Sequence, residues 1–438
     1  MKKQFGRARH ALASACGAAL MSLATAPAQA QAPASEAAPS AAAAGSPYYI
    51  GASQGFTHDS NVYRIPSGPD DNYSSTGLSA GFDVPLSRQR LFGTGRADLN
   101  RYQREKRLDN TSYDLTAGLN WETIANLSGN VIATLDQHLA APAAIAAVPQ
   151  ATRNLADRRG VSGLARWGGV SVFTVEGTLG YSSIDYSAPE YVTAESKQEF
   201  GSIGAFYRPS PLLRLGIAVR LDRTRTPKAF LQADGSYLPN QINGRHLDLI
   251  GEYELSDRLS ANARASYTRQ TNSIAGRADF SGITGDIRVM YRPTAKIGLS
   301  AYAAHQAGFD ASQAGTGLAV AAVPPSSTPI AGLYENNRVT DSFGLSTTYA
   351  ATAKITGTAG VTYARARIAS TLTTGSSSLA SPDVIDTVRG ATLGASYAIA
   401  RPWLLACNLG YEKRYVVGAV AYSYEASSVG CSAQFTWR

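Results

Sequence analysis

Apolar and polar residues alternate with a period of two over most of the chain beyond Pro47. In the stretch 117–136, Leu119 and Trp121 alternate with Asn120 and Glu122. After a short turn, Leu127, Val131, Ala133 and Leu135 alternate with Ser128, Asn130, Thr134 and Asp136. In 212–222, Leu213, Leu215, Ile217, Val219 and Leu221 take one face, and Arg214, Gly216, Ala218, Arg220 and Asp222 take the other. Such alternation over about ten residues predicts strands with one apolar and one polar face.

The connections between strands alternate in length. Short turns recur at Ser87–Gln89, Thr123–Asn126, Gly168-Gly169, Pro209–Pro211, Ser256–Arg258, Pro293–Lys296, Ala351–Lys354 and Ala400–Pro402. Longer, irregular stretches lie at 140–157, 224–240, 310–336 and 370–385. Ten-residue strands joined alternately by short and long connections predict a transmembrane antiparallel outer-membrane β-barrel, with short turns in the periplasm and long loops outside. The expected count is 18 strands, or 16 if 158–167 and 170–182 do not form a hairpin.

Aromatic residues mark the ends of the descending strands. Trp121, Trp167, Tyr207, Tyr253, Tyr291, Tyr349 and Tyr397 stand just before short turns, on the parity of the apolar face. Phe82 fills that role in the first hairpin, and Trp403, Phe435 and Trp437 fill it in the last. An aromatic girdle is expected where a barrel wall meets the headgroups, because the ring is apolar and its polar tip favours water.

The start of the chain reads differently. Lys2, Lys3, Arg7 and Arg9 precede an apolar run from Ala11 to Ala24 and the small-residue sequence Ala28-Gln29-Ala30. This predicts a secretory signal peptide over 1–30, with a mature chain from Gln31. Residues 31–46 are an Ala/Pro/Ser linker, and 47–438 the barrel. The mature stretch has no apolar run long enough for a membrane helix. The expected location is the outer membrane of a Gram-negative bacterium.

Composition narrows the chemistry. Charged residues make up 16% of the 438, and 23 tyrosines stand against 12 phenylalanines. That balance excludes a disordered acidic chain and suits surfaces that are apolar on one side and wet on the other. The polar parity is expected to line the lumen, since an arginine on the lipid side at mid-bilayer costs about 2–4 kcal/mol. The expected lumen-lining residues are Arg96, Asp98, Asp114, Asp136, Arg166, Glu176, Arg214, Arg220, Asp222, Asp248, Glu252, Arg264, Asp286 and Arg288. Of these, Arg214, Arg220, Arg264 and Arg288 would form a basic stripe, open to local neutralisation by Asp222, Asp248, Glu252 and Asp286.

No catalytic set is discernible. The histidines His58, His138, His246 and His305 are scattered, and His246 beside Asp248 reads as structural. No cofactor, metal site or nucleic-acid module is expected. Cys16 lies in the signal. A last hairpin centred near Ala419 sets Cys407 opposite Cys431, Trp403 opposite Phe435 and Leu405 opposite Ala433, with both thiols facing outward. Opposed strand residues come close enough for a disulfide, which an oxidising periplasm permits. Two small apolar side chains side by side are the alternative.

The barrel opens with Asp59-Ser60-Asn61-Val62-Tyr63-Arg64. This resembles the Asp-x-Asn-apolar-aromatic-Arg opening of exosortase-associated exopolysaccharide-biosynthesis outer-membrane proteins of the EpsL type, in the β-barrel porin 2 group. Residues 84–103 are similar to that family's first turn and third strand. The resemblance implies an outer-membrane channel for exopolysaccharide biosynthesis or export, without catalytic residues. A passive barrel in that role needs an inner-membrane synthase, periplasmic export components, barrel-assembly machinery and contact with lipid and lipopolysaccharide. The C-terminus departs from the usual pattern, since Arg438 follows the terminal aromatic Trp437. A general diffusion porin for small solutes and a plugged structural or assembly barrel are the alternative functions.

Overall fold

The computed structural model describes residues 46–437, apart from 125, 141–152, 170, 233, 256–257, 275–278, 308–332, 375–376 and 418–422. The expected signal peptide, nearly all of the linker, most of the connection at 310–336 and the centre of the last hairpin therefore lie outside the described residues.

Eighteen strands follow one another in chain order: β1 Tyr48–Asp59, β2 Asp71–Leu86, β3 Gln89–Tyr102, β4 Asn110–Glu122, β5 Leu127–Leu139, β6 Leu155–Trp167, β7 Phe173–Tyr186, β8 Ser196–Ser210, β9 Leu213–Leu231, β10 Tyr237–Leu255, β11 Leu259–Asn272, β12 Phe280–Thr294, β13 Ile297–Ala307, β14 Leu333–Ala350, β15 Ile355–Thr374, β16 Ser377–Ala400, β17 Trp403–Val417 and β18 Tyr424–Trp437. Each pairs antiparallel with its chain neighbours, and β1 pairs with β18 from Ile50↔Trp437 to Asp59↔Ser428. The sheet is closed, so among the described residues every strand pairs with a neighbour on each side.

Burial is inverted relative to a water-soluble core. Leu179 is 72% exposed, Ile283 74% and Leu249 58%, while inward Asp222, His246 and Asp248 are buried. An apolar exterior of this extent is stable only against hydrocarbon. An antiparallel barrel with an even strand number and such a belt belongs to the bacterial outer membrane. The girdle aromatics all have the outward parity, within four residues of a periplasmic strand end, and Trp167 and Trp437 are each 63% exposed.

Two stretches that read as loops, 224–240 and 370–385, are largely paired strand among the described residues. Thr224 to Leu231 pairs back onto β10, and Ser370 to Thr374 pairs with Ser377 to Ser381. The reason lies in the prolines. Pro227 and Pro239 fall inside the register shift between Leu238 and Asn240, and Pro382 falls inside the one between Ile368 and Ser370. A bulge frees a residue from ladder bonding, so a proline without an N–H is accommodated there. β9 and β10 reach 19 residues and β16 reaches 24, against the roughly 9–11 needed to span a bilayer. These hairpins therefore project beyond the membrane. The loop read at 140–157 likewise ends earlier, because β6 begins at Leu155.

The short turns close with left-handed residues, Ser87 at φ 59°, Asn126 at φ 58° and Gly168 at φ 103°. A Cβ at Gly168 would also run into the Phe173 carbonyl oxygen. In the last hairpin Cys407 stands opposite Cys431, with Trp403 opposite Phe435 and Leu405 opposite Ala433. The two cysteines form a disulfide with Cα atoms 4.0 Å apart. It ties β17 to β18, the strand that seals the barrel against β1.

The depth of the belt sets the cost of charge. On refolding into vesicles, Leu249→Arg at mid-belt should lose about 2–4 kcal/mol, and Leu221→Arg at its upper edge about 0–1 kcal/mol. Equal losses would contradict this membrane placement. Alkylation of the denatured mature chain should label neither Cys407 nor Cys431 until reductant is added. Two labelled thiols without reductant would exclude the bond.

Candidate functional site: the lumenal wall

The inward parity builds one continuous polar wall, on which most charges meet an opposite charge. Near the periplasmic mouth, Arg166 and Arg214 both donate to Glu176 Oε1. Arg214 also donates to both carboxylate oxygens of Glu252 at 3.1 Å and to Thr174 Oγ1 at 3.3 Å. Arg214 on β9 reaches Glu176 on β7 by crossing the intervening strand β8. Its guanidinium stacks 3.7 Å above the centroid of Phe206, which lies flat over Gly216. Arg214 and Glu176 are buried, so each needs its partner to offset lost hydration.

Higher on the same wall, Arg220 Nε donates to Asp248 Oδ2 at 3.1 Å, and Arg264 Nε donates to Asp286 Oδ1 at 2.9 Å. Asp222 pairs with His246, not with an arginine. His246 Nε2 lies 2.5 Å from Asp222 Oδ1, and its Nδ1 lies 2.9 Å from Thr268 Oγ1, which meets Thr284 Oγ1 at 2.7 Å. Asp248 bonds to Arg220, and His246 looks the other way. Arg288, half-buried, stands opposite Asn262 and Tyr302. Three of the four arginines thus form a band of ion pairs, and no salt bridge is seen for Arg288 among the described residues.

On the adjoining strands, Arg96, Asp114, Asp136 and Arg158 occupy one register row across β3 to β6. Arg96 donates to both oxygens of Asp98 at 2.6 and 2.8 Å. Arg158 Nη1 lies 3.8 Å from Asp136 Oδ2, with His138 Nε2 at 3.6 Å from the same oxygen. Asp114 is open to the lumen.

Inward aromatics follow a second rule. Tyr49, Phe92, Phe200, Phe206 and Tyr302 each stand directly opposite an inward glycine, respectively Gly81, Gly118, Gly180, Gly216 and Gly344. At each glycine a Cβ would collide with the ring. Without one, the ring lies flat against the neighbouring strand, so the bore stays wide and shows ring faces.

The loop L1, residues 60–70, folds inward at the extracellular mouth. Arg64, at φ 53°, donates to Asp59 Oδ1 and Oδ2 at 2.8 and 2.9 Å and to the Asn61 carbonyl. Asn61 Nδ2 donates to the carbonyl oxygens of Ile65 at 2.7 Å and Glu425 at 3.1 Å, stitching L1 to β18. Burial disfavours the Arg64 cation, but the charge and hydrogen bonds of Asp59 outweigh it and hold its pKa above the ordinary arginine value. Val62 and Tyr63 pack with inward Tyr73 and Tyr102, and with Leu108 of the next loop. Tyr63 donates to Glu105 Oε2 at 2.7 Å, and its hydroxyl is pushed up to about 12 by burial and by that carboxylate. Next to it, Arg414 bonds Asp386 at 2.8 and 2.9 Å, and Tyr424 donates to Glu412 at 2.5 Å.

Sequence reasoning missed this group. Glu412 and Arg414 carry the inward parity of β17 and were legible by alternation. Asp386 lies one residue past a stretch that reads as loop, and Arg158 one residue past another.

No family model matches the sequence, and no curated protein matches it. Solved structures that resemble it include the FrpB iron transporter from Neisseria meningitidis, at 7% identity and TM-score 0.42, covering 91% of this chain and 82% of that one. OccK1 (OpdK) from Pseudomonas aeruginosa resembles it at 11% identity and TM-score 0.46, covering 89% and 99%. The copper transporter OprC does so at 11% and 0.42, covering 89% and 80%. Likenesses of this degree bear on no substrate.

The variant Arg264→Ser/Arg288→Ser removes two cations from the wall and should move the reversal potential of reconstituted barrels toward cation selectivity. An unchanged potential would place the conducting path elsewhere.

Proposed function

We propose that this barrel is an outer-membrane channel for exopolysaccharide export, of the EpsL type that its Asp59–Arg64 opening resembles. The observation that carries the reading is the lumenal wall. Its charges are largely neutralised in place, and its aromatic rings lie flat along a hydrated bore. A sugar polymer presents hydroxyls and C–H faces, which meet polar side chains and ring faces without needing a net field. Half-buried Phe92, Phe200 and Tyr302 are the inward rings best placed to touch it. The reading assigns no catalysis to the barrel. A passive channel holds no energy source, so an inner-membrane synthase and periplasmic components would feed it, and barrel-assembly machinery would insert it.

The same neutral wall suits a diffusion porin for small polar solutes, and the two readings separate in one pair of measurements. For export, oligosaccharides cut from the cell's own exopolysaccharide should block single-channel current transiently. Phe92→Ala/Phe200→Ala/Tyr302→Ala should then shorten the blocks by on the order of tenfold, given about 0.5–1.5 kcal/mol per well-stacked ring. Deletion of the gene should leave polysaccharide in the periplasm. Steady conductance without glycan block, together with unchanged surface polysaccharide in the deletion strain, would establish the porin instead.

A further inference from the structure

We infer that the outward face of β8 to β11, at the extracellular edge of the apolar belt, is a binding site for the phosphate groups of lipid A, the phosphorylated glycolipid of the outer leaflet. This does not depend on what passes through the lumen.

On β9 the outward residues run Leu213, Leu215, Ile217, Val219 and Leu221, and then change to Arg223 and Arg225. On β10, Leu249 and Leu247 give way to Arg245, and on β11, Tyr267 gives way to Arg269. On β8, Lys197 and Glu199 stand above Ile203. The change from apolar to cationic falls about 20 Å above the periplasmic strand ends, from eight residues of tilted strand. This is where hydrocarbon ends and headgroup phosphates begin.

The arrangement of these charges points to an anion that the chain does not supply. Arg245 stands directly opposite Arg269, and Lys197 directly opposite Arg225. Like charges in opposed positions destabilise a sheet. Five cations share the patch with one carboxylate, Glu199, which stands opposite Arg223. All six side chains are exposed, and none of the five cations makes an ion pair among the described residues.

The same level on β13 to β18 is built differently. There Arg367 lies 3.6 Å from Asp341, His305 lies 2.5 Å from Asp341, and Lys413 lies 3.0 Å from Glu425. That side pairs Arg367, His305 and Lys413 with carboxylates of its own, while Arg389, opposite Lys413, lies 5.9 Å from the centroid of the Tyr363 ring. On β8 to β11 the anion must come from outside, and at this depth the available one is the lipid phosphate. Two phosphates on a rigid disaccharide would relieve both opposed pairs. Arginine suits them, since its planar fork binds phosphate in a bidentate manner.

The test uses the folded barrel in detergent and native mass spectrometry of bound lipid. Wild type should retain lipid A. Arg223→Ser/Arg225→Ser/Arg245→Ser/Arg269→Ser should lower its affinity by on the order of a hundredfold, as expected for the loss of several surface cations facing anionic lipid. The control Arg367→Ser/Lys413→Ser should retain lipid A like wild type. Dephosphorylated lipid A should bind wild type as weakly as lipid A binds the quadruple variant. If the quadruple variant does not show the gel mobility of a folded barrel, the comparison of lipid A with its dephosphorylated form on wild type decides alone. Equal retention by variant and wild type, equal binding of the dephosphorylated lipid, or displacement by millimolar inorganic phosphate would each overturn the assignment.

Discussion

Every backbone N–H and C=O within the bilayer must find its partner inside the protein, and this requirement governs the rest of the structure. Water is absent there, and each unsatisfied group costs several kcal/mol. A sheet meets the requirement only when it closes, which it does by pairing β1 with β18 over ten residues. Closure makes the strand count even, with both strand termini at the periplasmic end. The Cys407–Cys431 bond lies next to that seam, in β17 and β18. Bulges at Pro227, Pro239 and Pro382 show the same constraint from the other side. At these three positions residues that cannot donate stand where the ladder is interrupted, in hairpins that have left the membrane.

Closure also creates two unlike surfaces from one alternation. Outward positions meet lipid and carry Leu, Ile, Val and a periplasmic row of aromatics. Inward positions meet a bore in which charges are partly desolvated by their neighbours. That favours ion pairs over isolated charges and explains why Arg214 is held by Glu176, Glu252 and Phe206 together. Glycines opposite inward rings belong to the same economy of space. They let Phe92, Phe200 and Tyr302 lie against the wall instead of narrowing the passage.

At the extracellular mouth the wall acquires a small core of its own. Val62, Tyr63, Tyr73, Tyr102 and Leu108 bury one another where L1 turns inward. The Asp59–Arg64 segment is thus a compact anchored loop, with Arg64 bonding back to Asp59 and Asn61 tying the loop to β18. The residues that carry the family resemblance shape the opening of the bore.

The sequence by itself determined the succession of strands and short turns, the two faces, the outward row of aromatics beside the short turns and the opposition of Cys407 to Cys431. All of these follow from local alternation and from turn residues within one hairpin. It did not determine the partners of the lumenal charges. Asp222 reaches His246, His246 does not meet Asp248, and Arg214 crosses a whole strand to Glu176. Such contacts depend on stagger across several strands and on which ring lies over which glycine. Nor was the reach of the β9–β10 and β15–β16 hairpins legible, because a proline reads as a break until a bulge is seen to absorb it. The inward fold of L1 was settled only by tertiary packing, since Tyr73 and Tyr102 become a surface for it to bury once β2 and β3 are paired.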